Sequence, residues 1–429
     1  MKKLLYIFAL IASPGILIAQ NPAPALPQSG AILILNATAH LGNGKIIENS
    51  AVGFENGKLI LVADARLIKI DASKYKTTID ASGKHVYPGF ISCNTTLGLT
   101  EIDLVRSTAD YYEVGDMNAN VRSIISYNTD SKIIPTVRSN GVLMAQVVPQ
   151  GGTISGQSSV VQLDAWNWED AAYKTDEGMH LNWPRMYISR TTYSESEEVQ
   201  KNRMTQQLSA IDLFFSEAKA YANGEASEKN LRFEAMRGLF DGSKKLYVHC
   251  DFVKEIIASI EFCKKYKLKM VLVGGADSWR VADLLKENNV SVVLGRTHSL
   301  PPREDDDVDL PYKLPGLLNK AGIVYTETMD GSWQSRNVMF NAGTTASYGV
   351  GKEEAVRSLT QYPAQILGID ASCGTLETGK DATLFISTGD ALDMRTNNVV
   401  QAFIRGKEIN LDDVQKQLYR KYKTKYGIQ

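Results

Sequence analysis

Short apolar runs at residues 246–249, 270–273, 290–294 and 323–326 are separated by stretches of helical character at 252–266, 278–286 and 314–320. Strand-then-helix order repeated in this way buries its apolar faces as a parallel sheet with crossover helices, because parallel neighbours need a long return connection. Residues 86–91 and 141–148 are candidate strands of the same set. A segment of about 194–240, rich in Glu, Lys, Gln and Ala, reads as an inserted surface helix pair. The expectation for the middle of the chain is an α/β barrel.

Both ends have a different texture. Residues 31–86 alternate β-type runs with turn signals such as Asn56-Gly57 and Ser82-Gly83, and the pattern returns at 374–390 and 399–411. One small β domain assembled from segments 30–87 and 372–412 is expected, with the barrel at 88–371 between them and a helix at 413–429.

Lys2 and Lys3 precede an apolar run over residues 4–18, interrupted by Ser13, Pro14 and Gly15, and Ala19 stands before a polar, proline-rich stretch. This is the pattern of a secretory signal peptide at residues 1–19, which implies a periplasmic or secreted protein. The run is short for a membrane span of about 20 residues. With 47 basic and 48 acidic side chains the net charge is -1, which provides no electrostatic footprint for nucleic acid or an anionic membrane surface. Cys93, Cys250, Cys263 and Cys373 are scattered, match no zinc spacing and read as small buried residues.

Three stretches carry a resemblance. Tyr87-Pro88-Gly89-Phe90-Ile91 resembles the strand that enters the barrel in the amidohydrolase superfamily. Residues 360–369, TQYPAQILGI, resemble the helix that closes it, and residues 374–386, GTLETGKDATLFI, resemble the return to the β domain. The similarity is closest to the imidazolonepropionase-like branch. It implies a distorted (β/α)8 TIM-type barrel with a composite β-sandwich, and an active site at the carboxyl ends of the barrel strands. The implied activity is metal-dependent hydrolysis of a carbon-nitrogen bond in a small molecule such as a cyclic amide.

The same resemblance exposes a gap. The family's first barrel strand ends in His-x-His, two side chains on one face of a strand that bind one ion. Asn94 and Thr96 occupy those positions here, and Ser92 stands where an Asp is usual. His249 matches the ligand at the end of the fifth strand, whereas the sixth strand ends in Gly274-Gly275-Ala276-Asp277 without a histidine. Only five histidines exist, at 40, 85, 180, 249 and 298. His40 and His85 fall in the β domain and His180 in the stretch GMHLNWP, which leaves His249 and His298 at the strand ends. A two-metal centre cannot be assembled from that set. A single divalent ion, Zn or Mn, held by His249, His298 and a carboxylate from Glu327 or Asp330 is the remaining metal arrangement, with that carboxylate taking a proton from water.

Other candidates surround the same strand ends. Gln157, in the glycine- and serine-rich stretch 151–159, and Asn94 and Thr96 are read as polar lining for a substrate. Asp277 is either part of that lining or the cap of the helix that follows. Arg106 can hold a charged substrate group or form a surface ion pair. Two functions follow. One is a secreted amidohydrolase with a reduced, single-metal site. The other is a non-catalytic relative whose barrel binds a small ligand, forms a homo-oligomer or pairs with an intact hydrolase.

Overall fold

The computed structural model describes residues 23–191, 193–224, 228–329 and 331–428; the lysine-flanked run of residues 1–19 lies outside them. Strands β1 (Ile32–His40), β2 (Ile46–Glu55), β3 (Lys58–Asp64), β4 (Thr77–Asp80) and β5 (His85–Pro88) come first. The barrel strands follow: β6 (Phe90–Thr95), β7 (Val142–Val147), β8 (Ile154–Gln162), β9 (Ala172–Asn182), β10 (Lys245–Cys250), β11 (Met270–Gly274), β12 (Ser291–Leu294) and β13 (Tyr325–Glu327). Strands β14 (Leu384–Ser387), β15 (Val399–Ile404) and β16 (Lys407–Glu408) complete the set.

The outer strands form one mixed sheet in the order β16-β15-β14-β5-β1-β2-β3, with β4 beside β1. Its two halves come from opposite ends of the chain: Leu384 of β14 sits opposite Pro88 of β5, and Phe385 opposite Tyr87. Apolar contact seals the join, with the rings of Phe54 and Phe403 5.0 Å apart. The composite β domain expected from the sequence is therefore present. Gly89 passes the chain from this sheet to the barrel. A methyl group there would come within 2.9 Å of Leu143, so the crossing is too tight for a side chain.

Barrel strands β6 to β13 form the second sheet in sequence order, nearly closed on itself. Ile91 and Cys93 of β6, with Met144, Val160, Tyr247, Val271 and Val293 from five further strands, fill its interior together with Ala364 and Ile366. Lys245, the first residue of β10, donates hydrogen bonds to the carbonyls of Gln365 and Ile366 at 3.1 and 2.5 Å. The helix Gln361–Leu367 thus plugs the end where the strands begin. No ladder joins β13 to β6 among the described residues. The seam is stitched by Thr328 Oγ1 donating to the Cys93 carbonyl at 2.5 Å and Thr95 Oγ1 donating to the Gly331 carbonyl at 2.8 Å.

Strand direction departs from a uniform (β/α)8 repeat at one place. β8 runs antiparallel to both β7 and β9. The connection from Val147 to Ile154 is too short for a crossover, which needs roughly ten or more residues, so the chain makes a hairpin instead. The helix pair in the expected insertion, Glu197–Ala222 and Leu231–Phe240, carries the crossover from β9 to β10. The first of these helices buries Ile211, Phe215 and Ala218, spaced i, i+4 and i+7, and Phe215 meets Phe262 with ring centroids 4.9 Å apart.

Candidate functional site at the barrel mouth

The polar groups inside the barrel follow from register. Tyr247 and His249 are two apart on β10 and share a face, and His180 of β9 is the register partner of Tyr247. His180 therefore stacks on the Tyr247 ring at 4.7 Å with the planes 7° apart. Its Nδ1 lies 2.9 Å from Nε2 of His249. His180 is fully buried, while His249, one step nearer the strand end, keeps partial contact with solvent.

Below this pair sits a sealed carboxyl group. Glu177 accepts from Gln146 Nε2 and Ser158 Oγ, both at 2.6 Å, and from the Tyr247 hydroxyl at 2.9 Å. Gln146 in turn accepts the backbone N–H of Asn94 at 3.0 Å. Burial pushes the Glu177 pKa up, against the pull of its donors. Burial lowers His180 well below 6.5, with the neighbouring His249 adding to the effect, and lowers His249 to about 4. Both imidazoles are neutral at pH 7, so the N···N contact is a hydrogen bond in which one ring donates. Nε2 of His180 is buried without a partner among the described residues. A bare lone pair is the cheaper orphan than an N–H, so His180 donates through Nδ1 and His249 presents Nδ1–H.

The structure separates the residues expected to form a metal site. Tyr325 faces the outer helices, packed with Leu314 and Leu318, and Glu327 shares that face two residues on. Its Oε1 accepts from Thr345 Oγ1 at 2.8 Å, and Thr326 between them is the residue that turns inward to Cys93. His298 stands exposed on its loop, with Nε2 2.8 Å from Thr344 Oγ1. Both residues are thus tied to the helix Val338–Thr345 rather than grouped with His249. Asp330 lies outside the described residues. A tetrahedral ion with bonds of about 2.0–2.1 Å holds its ligand atoms roughly 3.3 Å apart, so His180 and His249 at 2.9 Å do not flank one. Among the described residues no group of three His, Cys, Asp or Glu side chains is arranged to hold a metal ion. Among the described residues the donor set does not fit the divalent ion implied by the resemblance.

Two of the residues expected to line a substrate, Asp277 and Gln157, are engaged by other side chains. Asp277 makes no cap to the helix that follows it. Its oxygens accept from Arg303 at 2.7 and 2.6 Å, and Oδ2 also accepts the Val253 N–H at 3.2 Å. Gln157 lies on buried strand β8 rather than a loop, and its side-chain oxygen accepts from Lys244. Asn94 has a left-handed backbone, φ 49°, that breaks the alternation of β6, and Thr96 is buried just past the strand. Arg106 is exposed on a single 3-10 turn.

The sequence reading missed His180, Glu177 and Gln146. Residues 172–182 mix polar and apolar side chains on both parities, which hides β9 and with it the place of His180 in the barrel. The buried burial pattern of that strand's end arises from its position between β8 and β10, which no local signal records.

Two clefts open at this end of the barrel. One of about 650 Å³ adjoins the end of β9 and is lined in part by Asn182, Trp183, Arg185, Tyr187, Gln200 and Arg203. The backbone N–H of Trp183 donates to the His249 carbonyl at 3.1 Å, which ties this cleft to the histidine pair. The other, of about 280 Å³, lies over the ends of β10 to β12 between Gly274, Arg296, Thr297 and Leu314.

Comparison with known proteins agrees with this architecture. Residues 280–409 match the amidohydrolase family. An amidohydrolase from Thermotoga maritima MSB8 superposes with a TM-score of 0.77 at 22% identity, over 88% of this chain and 99% of that one. A molinate hydrolase gives 0.56 at 13% identity over 90% and 96%. An adenosine deaminase from Xanthomonas campestris with bound zinc gives 0.53 at 15% identity over 93% and 99%. No curated protein matches the chain. The chain carries the amidohydrolase family match on the amidohydrolase fold, as its sequence resemblance implied.

Proposed function

We propose that this amidohydrolase-type barrel binds a small polar molecule at the carboxyl ends of its strands and does so without a metal centre. One observation carries the reading: the histidine at the inherited ligand position, His249, spends Nε2 on a hydrogen bond to His180 at 2.9 Å. Asn94 and Thr96 in place of the His-x-His pair, and Glu327 turned toward Thr345, support it. The cleft of about 650 Å³ is the binding site in this reading, since small-molecule pockets run from roughly 300 to 1,000 Å³. Arg185 favours a carboxylate on the ligand, Arg203 being already paired with Glu195 of the same cleft at 2.6 Å, and Trp183 and Tyr187 favour an apolar or aromatic part. The signal-like run at residues 1–19 supports action in the periplasm or outside the cell. Self-association or pairing with a complete hydrolase is part of the same reading and is read out by light scattering on the purified protein.

The second reading is hydrolysis of a small-molecule carbon-nitrogen bond with one Zn or Mn ion at His249. The family match over residues 280–409 favours it, and it requires His249 to leave His180. Elemental analysis after zinc or manganese loading, with an amide and lactam panel read by both calorimetry and turnover, distinguishes the two. Binding without turnover, at less than about a tenth of an equivalent of metal, is the expected result. Stoichiometric metal with turnover overturns the proposal.

A further inference from the structure

The net charge of -1 conceals a local excess at the carboxyl end. Residues 414–429 contain Lys416, Arg420, Lys421, Lys423 and Lys425 and no acidic side chain, so removing these five positives from the total leaves -6 for the rest. The segment forms the helix Val414–Tyr426, started by Asp413 accepting the Lys416 N–H and ended at Gly427 with φ 62°. Unlike the other long helices it buries none of its own residues. It is pinned near its start, where Thr136 Oγ1 donates to Gln415 Oε1 at 2.5 Å.

Val414, Leu418, Tyr419, Tyr422 and Tyr426 fall within one arc of about 140° at 100° per residue. Leu418 and Tyr422 are each 45% exposed and Tyr419 and Tyr426 each 65%. Lys421 lies just outside one edge of the arc and Lys425 just inside it, while Lys416 and Lys423 lie beyond the other edge. Arg420 and Lys416 are engaged by Asp412 and Asp413. Lys421 and Lys425 instead lie over tyrosine rings, 5.7 Å from Tyr422 and 5.3 Å from Tyr426. A helix read by a protein groove presents an apolar stripe that fills pockets. Here three of the five arc residues are tyrosines, with an apolar ring and a hydroxyl that prefers water, flanked by lysines whose stems can lie along the apolar face while their charges reach outward.

We propose that the helix Val414–Tyr426 docks this protein on an anionic phospholipid surface, its tyrosine-leucine arc in the headgroup layer and Lys421, Lys423 and Lys425 on the phosphates. The docking is peripheral: no helix among the described residues is long and apolar enough to cross a membrane. The test is co-sedimentation of the purified protein with vesicles of phosphatidylglycerol and phosphatidylcholine against phosphatidylcholine alone. Binding is expected only to the anionic vesicles and is expected to weaken as salt screens the charges. The variant Lys421→Gln/Lys423→Gln/Lys425→Gln is expected to bind about a hundredfold more weakly, at roughly fivefold per lysine. Leu418→Ser/Tyr422→Ser/Tyr426→Ser is expected to lose binding with an unchanged thermal melt, because none of the three is buried. Absence of binding to anionic vesicles at low salt, or a triple-glutamine variant that binds as wild type, overturns the proposal. Equal affinity for poly-glutamate in solution also overturns it, since that result identifies an acidic polypeptide as the partner.

Discussion

Nδ1 of His180 lies 2.9 Å from Nε2 of His249, so two neutral imidazoles share one hydrogen bond where the related family would use the second ring on a metal. Both pKa values are depressed in the folded state, His249 to about 4 and His180 well below 6.5. Below pH 6.5 the unfolded chain binds protons that the folded one rejects, so stability falls as pH drops from 6.5 toward 4. The slope is about 1.4 kcal/mol per pH unit for a fully buried ring, and less for the partly exposed His249. Urea melts from pH 7 to 4 should show this loss, and His180→Phe/His249→Phe should flatten it. An unchanged slope in the double variant would rule the pair out as its source.

Glu327 predicts the opposite pH trend. Burial raises its pKa to about 8 against the single hydrogen bond from Thr345, and Oε2 has no partner among the described residues. A raised carboxyl pKa means that its folded-state contribution is intact below the unfolded value near 4.3 and is lost as pH rises toward 8. Glu327→Gln keeps an acceptor for Thr345 and removes the ionisation. The variant should match wild type near pH 4 and melt several degrees higher at pH 8, by differential scanning fluorimetry. A variant equal to or below wild type at pH 8 contradicts the assignment.

Gly178 makes room for Tyr247. A methyl group at position 178 would sit 2.2 Å from the Tyr247 ring, which cannot retreat without giving up its hydrogen bond to Glu177 and its stack on His180. Gly178→Ala should cost about 1–3 kcal/mol, in the range of overpacked cores. Pairing it with Tyr247→Leu should recover part of that loss. Additive losses in the double variant would show that the two positions do not meet.

Asp277 and Arg303 form a two-pronged ion pair across the loops above β11 and β12. Burial works against ionisation of Asp277, yet the Arg303 hydrogen bonds, the Val253 amide and the guanidinium charge hold its pKa below the ordinary carboxylate value. Such a group stabilises above the unfolded pKa and ceases to do so as pH falls through the folded one. Arg303 is 35% exposed, so the expected cost of Asp277→Asn at pH 7 is discounted to about 1–2 kcal/mol. Chemical denaturation should show that cost shrinking in acid while ligand affinity stays unchanged. A selective loss of affinity would return Asp277 to the binding site.

Strand-helix alternation, the β texture at both ends and the Tyr87-Pro88-Gly89 entry were legible because each depends on local periodicity and turn residues. β8 and β9 were not. The first has an apolar-polar mixture that reads as a flexible loop around Gly151 and Gly152, and its buried, reversed path depends on pairing with β7 and β9. The face on which Glu327 points depends on the register of a three-residue strand, and a shift of one residue reverses inside and outside.

The sequence by itself determined the barrel, the split β domain and the absence of a His-x-His pair, because these depend on which residues exist and on local order. Only the tertiary structure decided what the remaining histidines do. His180 and His249 are 69 positions apart, and no periodicity in either segment connects them. They meet because β9 and β10 are parallel neighbours in one register, and full burial leaves His180 the His249 ring as its hydrogen-bond partner.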